Sequence, residues 1–134
     1  MATIEFKKKS ISLDSFEENI NIQKSKNEKL IEEFSKWLES KKLSKKTIEK
    51  HLYNSDFYIN EFLLYYESQE PKDGMEYIDG FLGDFFIRKC MWSSKATIKE
   101  NATSLKKFYQ FLSEIGKVSK EDYKEFVEQI SDSM

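Results

Sequence analysis

The sequence predicts a small all-α fold, a bundle of four to five helices, and three observations support this prediction. The chain of 134 residues contains one Pro and four Gly, while aromatic residues make up 15% of it. This composition favours helices that pack through aromatic side chains over a sandwich with many turns. Apolar residues recur at helical spacing, and residues that begin helices precede several of these stretches. A single domain of this length can bury a core.

The first two predicted helices lie on either side of residues 42 and 43. Ser25-Lys26-Asn27-Glu28 has the form of a capping box, and the helix that it opens should stop near Lys41. Ser44 caps the second helix, which should end before Pro71 because proline disfavours helical backbone in the residue before it. The apolar positions expected to face the core are Leu30, Ile31, Phe34, Trp37 and Leu38 on the first helix and Ile48, Leu52, Ile59, Phe62, Leu63 and Tyr66 on the second.

Three shorter patterns predict the remaining helices. Asp73-Gly74-Met75-Glu76 resembles another N-terminal box, and the strongly apolar helix after it should lie at the centre of the bundle. A fourth helix should run from Ser94 to Ile115 with Gly116 as its stop, and Ser119 should cap a fifth. The expected core positions are Tyr77, Ile78, Phe81, Leu82, Phe85, Phe86 and Ile87, then Ile98, Ala102, Leu105, Tyr109 and Leu112, and finally Tyr123, Phe126, Val127 and Ile130.

Residues 1–24 are predicted to form an N-terminal arm, strand-like or flexible, ahead of a helical domain at residues 25–134. Thr3-Ile4-Glu5-Phe6 alternates between polar and apolar residues as a short strand does, and Ile11-Ser12-Leu13 continues the pattern. Lys7 to Lys9 make the arm locally basic. We expect the arm to lie partly ordered against the bundle.

The sequence favours a cytoplasmic protein without a membrane partner. No apolar run approaches the roughly 18 residues that a membrane helix needs. The stretch from Met1 to Ser10 is charged and lacks the hydrophobic region of a signal peptide. Cys90 is the only cysteine, so the chain cannot form an internal disulfide, and a reducing compartment is the simplest expectation.

The residues that an enzyme would need are scarce. His51, Arg88 and Cys90 are each the only residue of their type, which leaves a zinc site or a Cys–His pair short of partners. The chain contains no Gly-rich phosphate loop and no Gly-x-Ser-x-Gly elbow. We interpret His51 as a partly buried, hydrogen-bonded residue and Cys90 as an inert buried thiol. The chain is therefore expected to be non-catalytic and to bind no cofactor or metal.

Positive charge is concentrated in two segments, although the net charge of the chain is −2. Residues 35–59 carry +3 and residues 88–117 carry +5, whereas residues 60–87 carry −6. Each basic segment contains one helix start of the same kind, Ser44-Lys45-Lys46-Thr47 or Ser94-Lys95-Ala96-Thr97. Free N–H groups and the helix dipole at such a start attract phosphate. Together the segments would form a basic patch, and the alternative is lysines scattered over solvated helix faces.

The order of these motifs resembles the helical core-binding domain of the tyrosine recombinases, also called phage integrases. The resemblance covers residues 28–130 and implies a SAM-like orthogonal bundle. In place of the tyrosine and basic pair that the family commonly carries after its Thr, this chain has His51-Leu52-Tyr53, and one arginine cannot supply the family's catalytic domain. We therefore expect the DNA-clamping half alone. The matching residues are Phe34 to Leu38, Leu43-Ser44-Lys45-Lys46-Thr47, Ser93-Ser94-Lys95-Ala96-Thr97, and Leu105 to Leu112 followed by Gly116.

The resemblance implies a non-catalytic domain that clamps double-stranded DNA weakly through lysines and helix N-termini. Most contacts would reach phosphates, with a few groove contacts from Asn101 and Ser104. Positions 94, 97, 101 and 104 fall at three- and four-residue steps and predict one polar face, for which an ordinary solvated surface is the alternative. The candidate DNA contacts are Ser44, Lys45, Lys46, Thr47 and Lys50 on the second helix and Ser94, Lys95, Thr97, Lys99, Asn101, Ser104 and Lys107 on the fourth.

A second interpretation is a protein-interaction or dimerisation module that kept the recombinase fold without binding DNA. The acidic segment at residues 60–87 and the missing basic pair favour it. Tyr58, Tyr65 and Trp92 are expected outside the core, where clustered aromatic residues would mark a partner surface. The partner would be a second copy of the chain or a separate recombinase subunit.

Overall fold

The computed structural model describes the backbone of residues 2–65, 68–82 and 95–133, and the side chains of residues 15–65, 68–78, 80–82 and 95–130. These ranges contain helices and no strand, so the prediction of an all-α fold is confirmed for them. None of the described helices is long and apolar enough to span a membrane. The helices are α1 (Ala2–Ser40), α2 (Lys45–Asp56), α3 (Ile78–Gly80), α4 (Lys95–Glu114) and α5 (Lys120–Ser133).

Helix α1 is continuous over 39 residues, which corrects the prediction of a strand-like arm before residue 25. The prediction that Ser25 opens a helix through a capping box is also wrong, because Ser25 lies inside α1 and not at its start. Around Ser25 the physical reason is a buried amide pair at helical spacing: Gln23 Nε2 donates to Asn27 Oδ1 at 2.9 Å, and Asn27 Nδ2 donates to Asn60 Oδ1 at 2.8 Å. The side of α1 that faces the bundle therefore extends towards the N-terminus through the polar residues Asn27 and Gln23.

Helix α2 begins where the sequence predicts. Ser44 has extended backbone and its Oγ accepts a hydrogen bond from the Thr47 N–H at 3.2 Å, which confirms it as the N-cap. The helical path continues beyond α2 as a π-helical segment, Phe57–Phe62, and so ends before Pro71 as predicted. Tyr66 lies outside the described residues.

Short 3₁₀ turns at Pro71–Asp73 and Met75–Tyr77 replace the predicted helix start at Asp73. Two buried tyrosines hold this segment: the Tyr58 hydroxyl donates to the Gly74 carbonyl at 2.6 Å, and the Tyr109 hydroxyl donates to the Pro71 carbonyl at 2.7 Å. Burial raises the pKa of both hydroxyls, so both stay protonated as donors. These tertiary hydrogen bonds, which no local pattern indicates, favour turns over a capped helix.

Helix α4 ends as predicted at Gly116, whose φ is 82°. The Lys117 N–H donates to the Leu112 carbonyl at 2.9 Å and the Gly116 N–H donates to the Ser113 carbonyl at 3.1 Å. This pair of bonds is the Schellman arrangement, which favours glycine at the left-handed position. Helix α5 is capped by Ser119, whose Oγ accepts from the Asp122 N–H at 3.0 Å.

The core is rich in aromatic contacts between helices. Phe34 of α1 meets Phe108 of α4 edge-to-face with ring centroids 5.3 Å apart, and the ring centroid of Tyr109 lies 4.8 Å from that of Phe126 of α5.

Most of the predicted core positions are buried. The prediction of a core position is wrong for Tyr77, whose side chain is 39% exposed. Phe85, Phe86 and Ile87 lie outside the described residues. Predicted core positions that the structure confirms as buried are Leu30, Phe34, Leu38, Ile59, Leu63, Ile78, Phe81, Leu82, Ala102, Leu105, Tyr109, Leu112, Phe126 and Ile130.

Candidate nucleic-acid interface

Helices α2 and α4, which carry the two basic segments, pack against each other. An ion pair joins their second turns, with Lys50 Nζ 2.8 Å from Glu100 Oε1. Further along, Asn54 Nδ2 donates to Ser104 Oγ at 2.9 Å, and His51 Nδ1 lies 2.8 Å from the same oxygen. The structure therefore brings the two basic helices into contact.

The polar contact between α2 and α4 is buried. His51, Asn54 and Ser104 are 6%, 8% and 0% exposed. Burial lowers the pKa of His51, and the charges of Lys107 and Lys50 lower it further, so the imidazole is neutral at pH 7. The prediction of a buried, hydrogen-bonded histidine is confirmed.

The predicted polar face of α4 is wrong at Asn101 and Ser104. Asn101 is only 5% exposed and its Nδ2 donates to the Thr97 carbonyl at 2.9 Å, while Ser104 bonds to α2. Because α4 is covered on this side by another helix, its polar residues pair within the protein instead of meeting solvent. Helical spacing alone cannot distinguish a polar face that meets solvent from one that pairs within the protein. Because the side chains of Asn101 and Ser104 are buried, neither is available to contact base edges in a DNA groove.

The hydroxyl groups at the start of α2 are also engaged. Ser44 Oγ accepts from the Thr47 backbone and donates to Thr47 Oγ1 at 2.9 Å, so both side chains support the cap. Thr97 is half-buried, and Lys50 is compensated by Glu100. Ser94 lies outside the described residues. The hydroxyls are therefore part of the helix architecture, and the lysines are the groups that remain for an external ligand.

Six lysines on α2 and α4 have no ion-pair partner within the described ranges. Four of them, Lys45, Lys46, Lys95 and Lys99, are exposed and lie in the first two turns of their helices. The other two, Lys106 and Lys107, are half-buried. Lys107 is close enough to His51 for its charge to lower the pKa of the imidazole.

The exposed aromatic residues differ from those predicted. The prediction that Tyr58 lies outside the core is wrong, since its side chain is fully buried at 0% exposure. Tyr65 is 49% exposed, as predicted. Trp92 lies outside the described residues. Tyr53, for which the sequence pattern did not predict exposure, is 62% exposed and lies three positions after Lys50 on α2. The signal that could have found Tyr53 is the charge of its neighbours at helical spacing, because Glu49, Lys50 and Asp56 lie three or four positions from it.

Within the described residues, no group of three or more His, Cys, Asp or Glu side chains is arranged to hold a metal ion. The sequence matches no family model, and it has no significant match among curated proteins or solved structures. The resemblance to recombinase core-binding domains therefore stays a prediction from the motifs.

Proposed function

We propose that the chain is a non-catalytic DNA-binding domain of the recombinase core-binding type, which clamps duplex DNA through the starts of α2 and α4. The observation that carries the proposal is the set of exposed, uncompensated lysines in the first two turns of two helices that contact each other. Lys45 and Lys46 are on one helix and Lys95 and Lys99 on the other. The first two turns of α2 and α4 contain two acids, Glu49 and Glu100, and Glu100 is already paired with Lys50 at 2.8 Å.

The buried contact between the helices gives the proposed clamp its stiffness. Ser104 Oγ lies within 2.9 Å of both His51 Nδ1 and Asn54 Nδ2. Breaking such a buried network costs roughly 1–3 kcal/mol for each group that loses its partner. The lysines of the two helices therefore approach phosphates as one rigid unit, without the loss of freedom that separate helices would suffer on binding.

The chemistry of this surface favours phosphate contacts over base recognition. Lysine is a point charge suited to phosphate oxygens, and phosphate contacts carry no sequence information. The two residues with amide or hydroxyl groups suited to the groove, Asn101 and Ser104, are buried. With a net charge of −2 on the whole chain, overall charge does not attract DNA, so the attraction has to come from a local patch of lysines such as this one. The binding we propose is weak, sensitive to salt and largely independent of sequence.

Replacing Lys45, Lys46, Lys95 and Lys99 together with alanine tests the proposal. We expect binding to a random duplex to be lost at low salt, measured by fluorescence anisotropy. Each phosphate contact contributes about −0.9 to the slope of log affinity against log salt, so four contacts contribute about −3.6. Circular dichroism establishes that the variant is folded.

The matched control removes four lysines elsewhere, Lys24 and Lys29 of α1 and Lys120 and Lys124 of α5, all of them exposed. It changes the net charge by the same amount and should keep most of the affinity. Equal affinity of the first variant and the wild type would refute the proposal, and equal loss in both variants would show that the attraction is not localised.

The second candidate, a protein-interaction or dimerisation module, is favoured by two apolar side chains of α1. Phe16 is 40% exposed and Ile22 is 48% exposed. Light scattering beside the anisotropy titration separates the candidates: a stable dimer with no duplex affinity supports the module, and salt-sensitive duplex binding supports the DNA clamp.

A further inference from the structure

A small cleft lies where three distant parts of the chain meet: the middle of α1, the turn at residues 70–72 and the segment that follows α4. Its volume is about 100 Å³. Pockets that take drug-sized ligands measure about 300–1,000 Å³, whereas one water molecule occupies about 30 Å³ of the liquid. The cleft therefore has room for a small ion and cannot enclose a ligand as large as a nucleotide.

Hydrogen bonds to residues outside the cleft fix the position of its walls. On α1, Asn27 is fully buried, and its Nδ2 donates to Asn60 Oδ1 at 2.8 Å. In the turn, the carbonyl of Pro71 accepts from the buried hydroxyl of Tyr109 at 2.7 Å. Because both walls are held by the tertiary structure, an ion would enter a site that is already formed, which lowers the cost of ordering side chains on binding.

Three lysines and one glutamate supply the charges of the cleft. Lys26 belongs to α1, Lys72 to the turn and Lys117 to the segment after α4, so the positive charges come from three separate parts of the fold. Glu70 Oε2 lies 3.4 Å from Lys72 Nζ, whereas Lys26 and Lys117 have no ion-pair partner among the described residues. Three lysines and one glutamate sum to +2, which favours a ligand with two negative charges.

The hydrogen-bonding groups of the cleft narrow the choice of dianion. Gln23 is 6% exposed, and one of the two N–H groups of its amide donates to Asn27 Oδ1 at 2.9 Å. The second N–H and the lysine ammonium groups are donors, which suit the oxygens of an anion. The carboxylate of Glu70 only accepts, so it repels an anion that brings no proton to the contact. Hydrogen phosphate has two negative charges and one O–H group, whereas sulfate has the same charge and shape without a proton.

From this complementarity we infer that the cleft binds inorganic phosphate in its singly protonated, dianionic form. The ammonium groups of Lys26, Lys72 and Lys117 contact the phosphate oxygens, and the phosphate O–H donates to Glu70. The bound ion ties α1, the turn and the end of α4 together, and it stabilises the folded chain because the unfolded chain has no such site. The site is independent of the proposed DNA interface, since no lysine of α2 or α4 lines it.

Isothermal titration calorimetry of the full chain with sodium phosphate tests the inference. At pH 8, where the dianion predominates, and at constant ionic strength, we expect one site with a Kd of about 1 mM or below. Sulfate should bind about tenfold more weakly, because a hydrogen bond to a charged group is lost. In Glu70→Gln this preference should disappear, since the neutral amide no longer requires a proton from the anion.

The variant Lys26→Ala/Lys117→Ala should weaken phosphate binding about tenfold or more and leave the affinity for DNA unchanged. The matched control is Lys24→Ala/Lys120→Ala, which removes two exposed lysines that do not line the cleft and should keep the affinity for phosphate. Circular dichroism establishes that each variant is folded.

Four results would overturn the inference: no binding of phosphate by the wild type up to about 10 mM, equal binding of phosphate and sulfate, a preference for phosphate that persists in Glu70→Gln, and equal effects of the two lysine variants. None of them bears on DNA binding, because the lysines at the starts of α2 and α4 are unchanged in every variant. Failure of the phosphate site and failure of the proposed function are therefore distinguishable.

Discussion

Replacing Gly74 with alanine tests the packing around the 3₁₀ turns at residues 71–77, where the buried hydroxyls of Tyr58 and Tyr109 donate hydrogen bonds to backbone carbonyls. Gly74 lies between the two 3₁₀ turns with φ −87° and ψ −7°, a backbone conformation that is allowed for alanine. The space around it is the constraint: a Cβ atom at this position would lie 2.7 Å from Leu63 Cδ1 and 2.8 Å from the Tyr109 hydroxyl oxygen. Both distances are shorter than any ordinary contact of a methyl group.

Neither neighbour can move away without loss. Leu63 and Tyr109 are 1% and 0% exposed, and the Tyr109 hydroxyl is bonded to the Pro71 carbonyl at 2.7 Å. Overpacking of one methyl group in a tight core costs typically 1–3 kcal/mol. Losing the Tyr109 hydrogen bond would add about 1 kcal/mol. We therefore expect Gly74→Ala to lower the free energy of unfolding by about 2–4 kcal/mol.

Urea denaturation monitored by circular dichroism measures this change as a lower midpoint at an unchanged m-value. Gly80→Ala is the matched control, since among the described residues no atom beyond its chain neighbours and its own helix backbone lies within 4 Å of the Cβ position at Gly80. In the helix α3 that substitution should be neutral or stabilise by up to about 1 kcal/mol. Tyr109→Phe in the Gly74→Ala background should recover part of the loss, because it removes one of the two clashing atoms. A stability of Gly74→Ala within about 0.5 kcal/mol of the wild type would refute the reasoning.

Two further predictions concern the buried contact between α2 and α4. Ser104→Ala removes the partner of both His51 Nδ1 and Asn54 Nδ2 and should lower the unfolding free energy by about 2–4 kcal/mol, measured by urea titration; a change below about 0.5 kcal/mol would contradict it. Because the pKa of His51 is lowered in the folded protein, stability should be greatest above pH 6.5 and fall as pH drops below that value, by at most about 1.4 kcal/mol per pH unit from this group. The dependence between pH 8 and pH 5 should be shallower in His51→Gln, and identical slopes would contradict the assignment.

Local sequence patterns predicted features whose determinants are themselves local. The Ser44 and Ser119 caps and the Gly116 stop depend on hydrogen bonds within a few residues, so residue type and position were sufficient. The apolar stripes of α2, α4 and α5 were predicted in the same way, because a period of 3.6 residues identifies a helix with one side in a core. These features establish an all-α chain with two basic helix starts.

Tertiary contacts determined the features that local sequence patterns did not predict. Asn101 and Ser104 have the spacing of a solvated face, yet both are buried. Ser104 bonds to Asn54 of α2, and Asn101 bonds to the Thr97 carbonyl of its own helix. A single-helix pattern contains no information about what lies opposite it. The turns at residues 71–77 form because the hydroxyls of Tyr58 and Tyr109 reach carbonyls 16 and 38 residues away. The sequence by itself thus determined α2, α4 and α5 and where lysines concentrate. Only the packing of one helix on another decided which polar groups face water, because burial depends on residues distant in the chain.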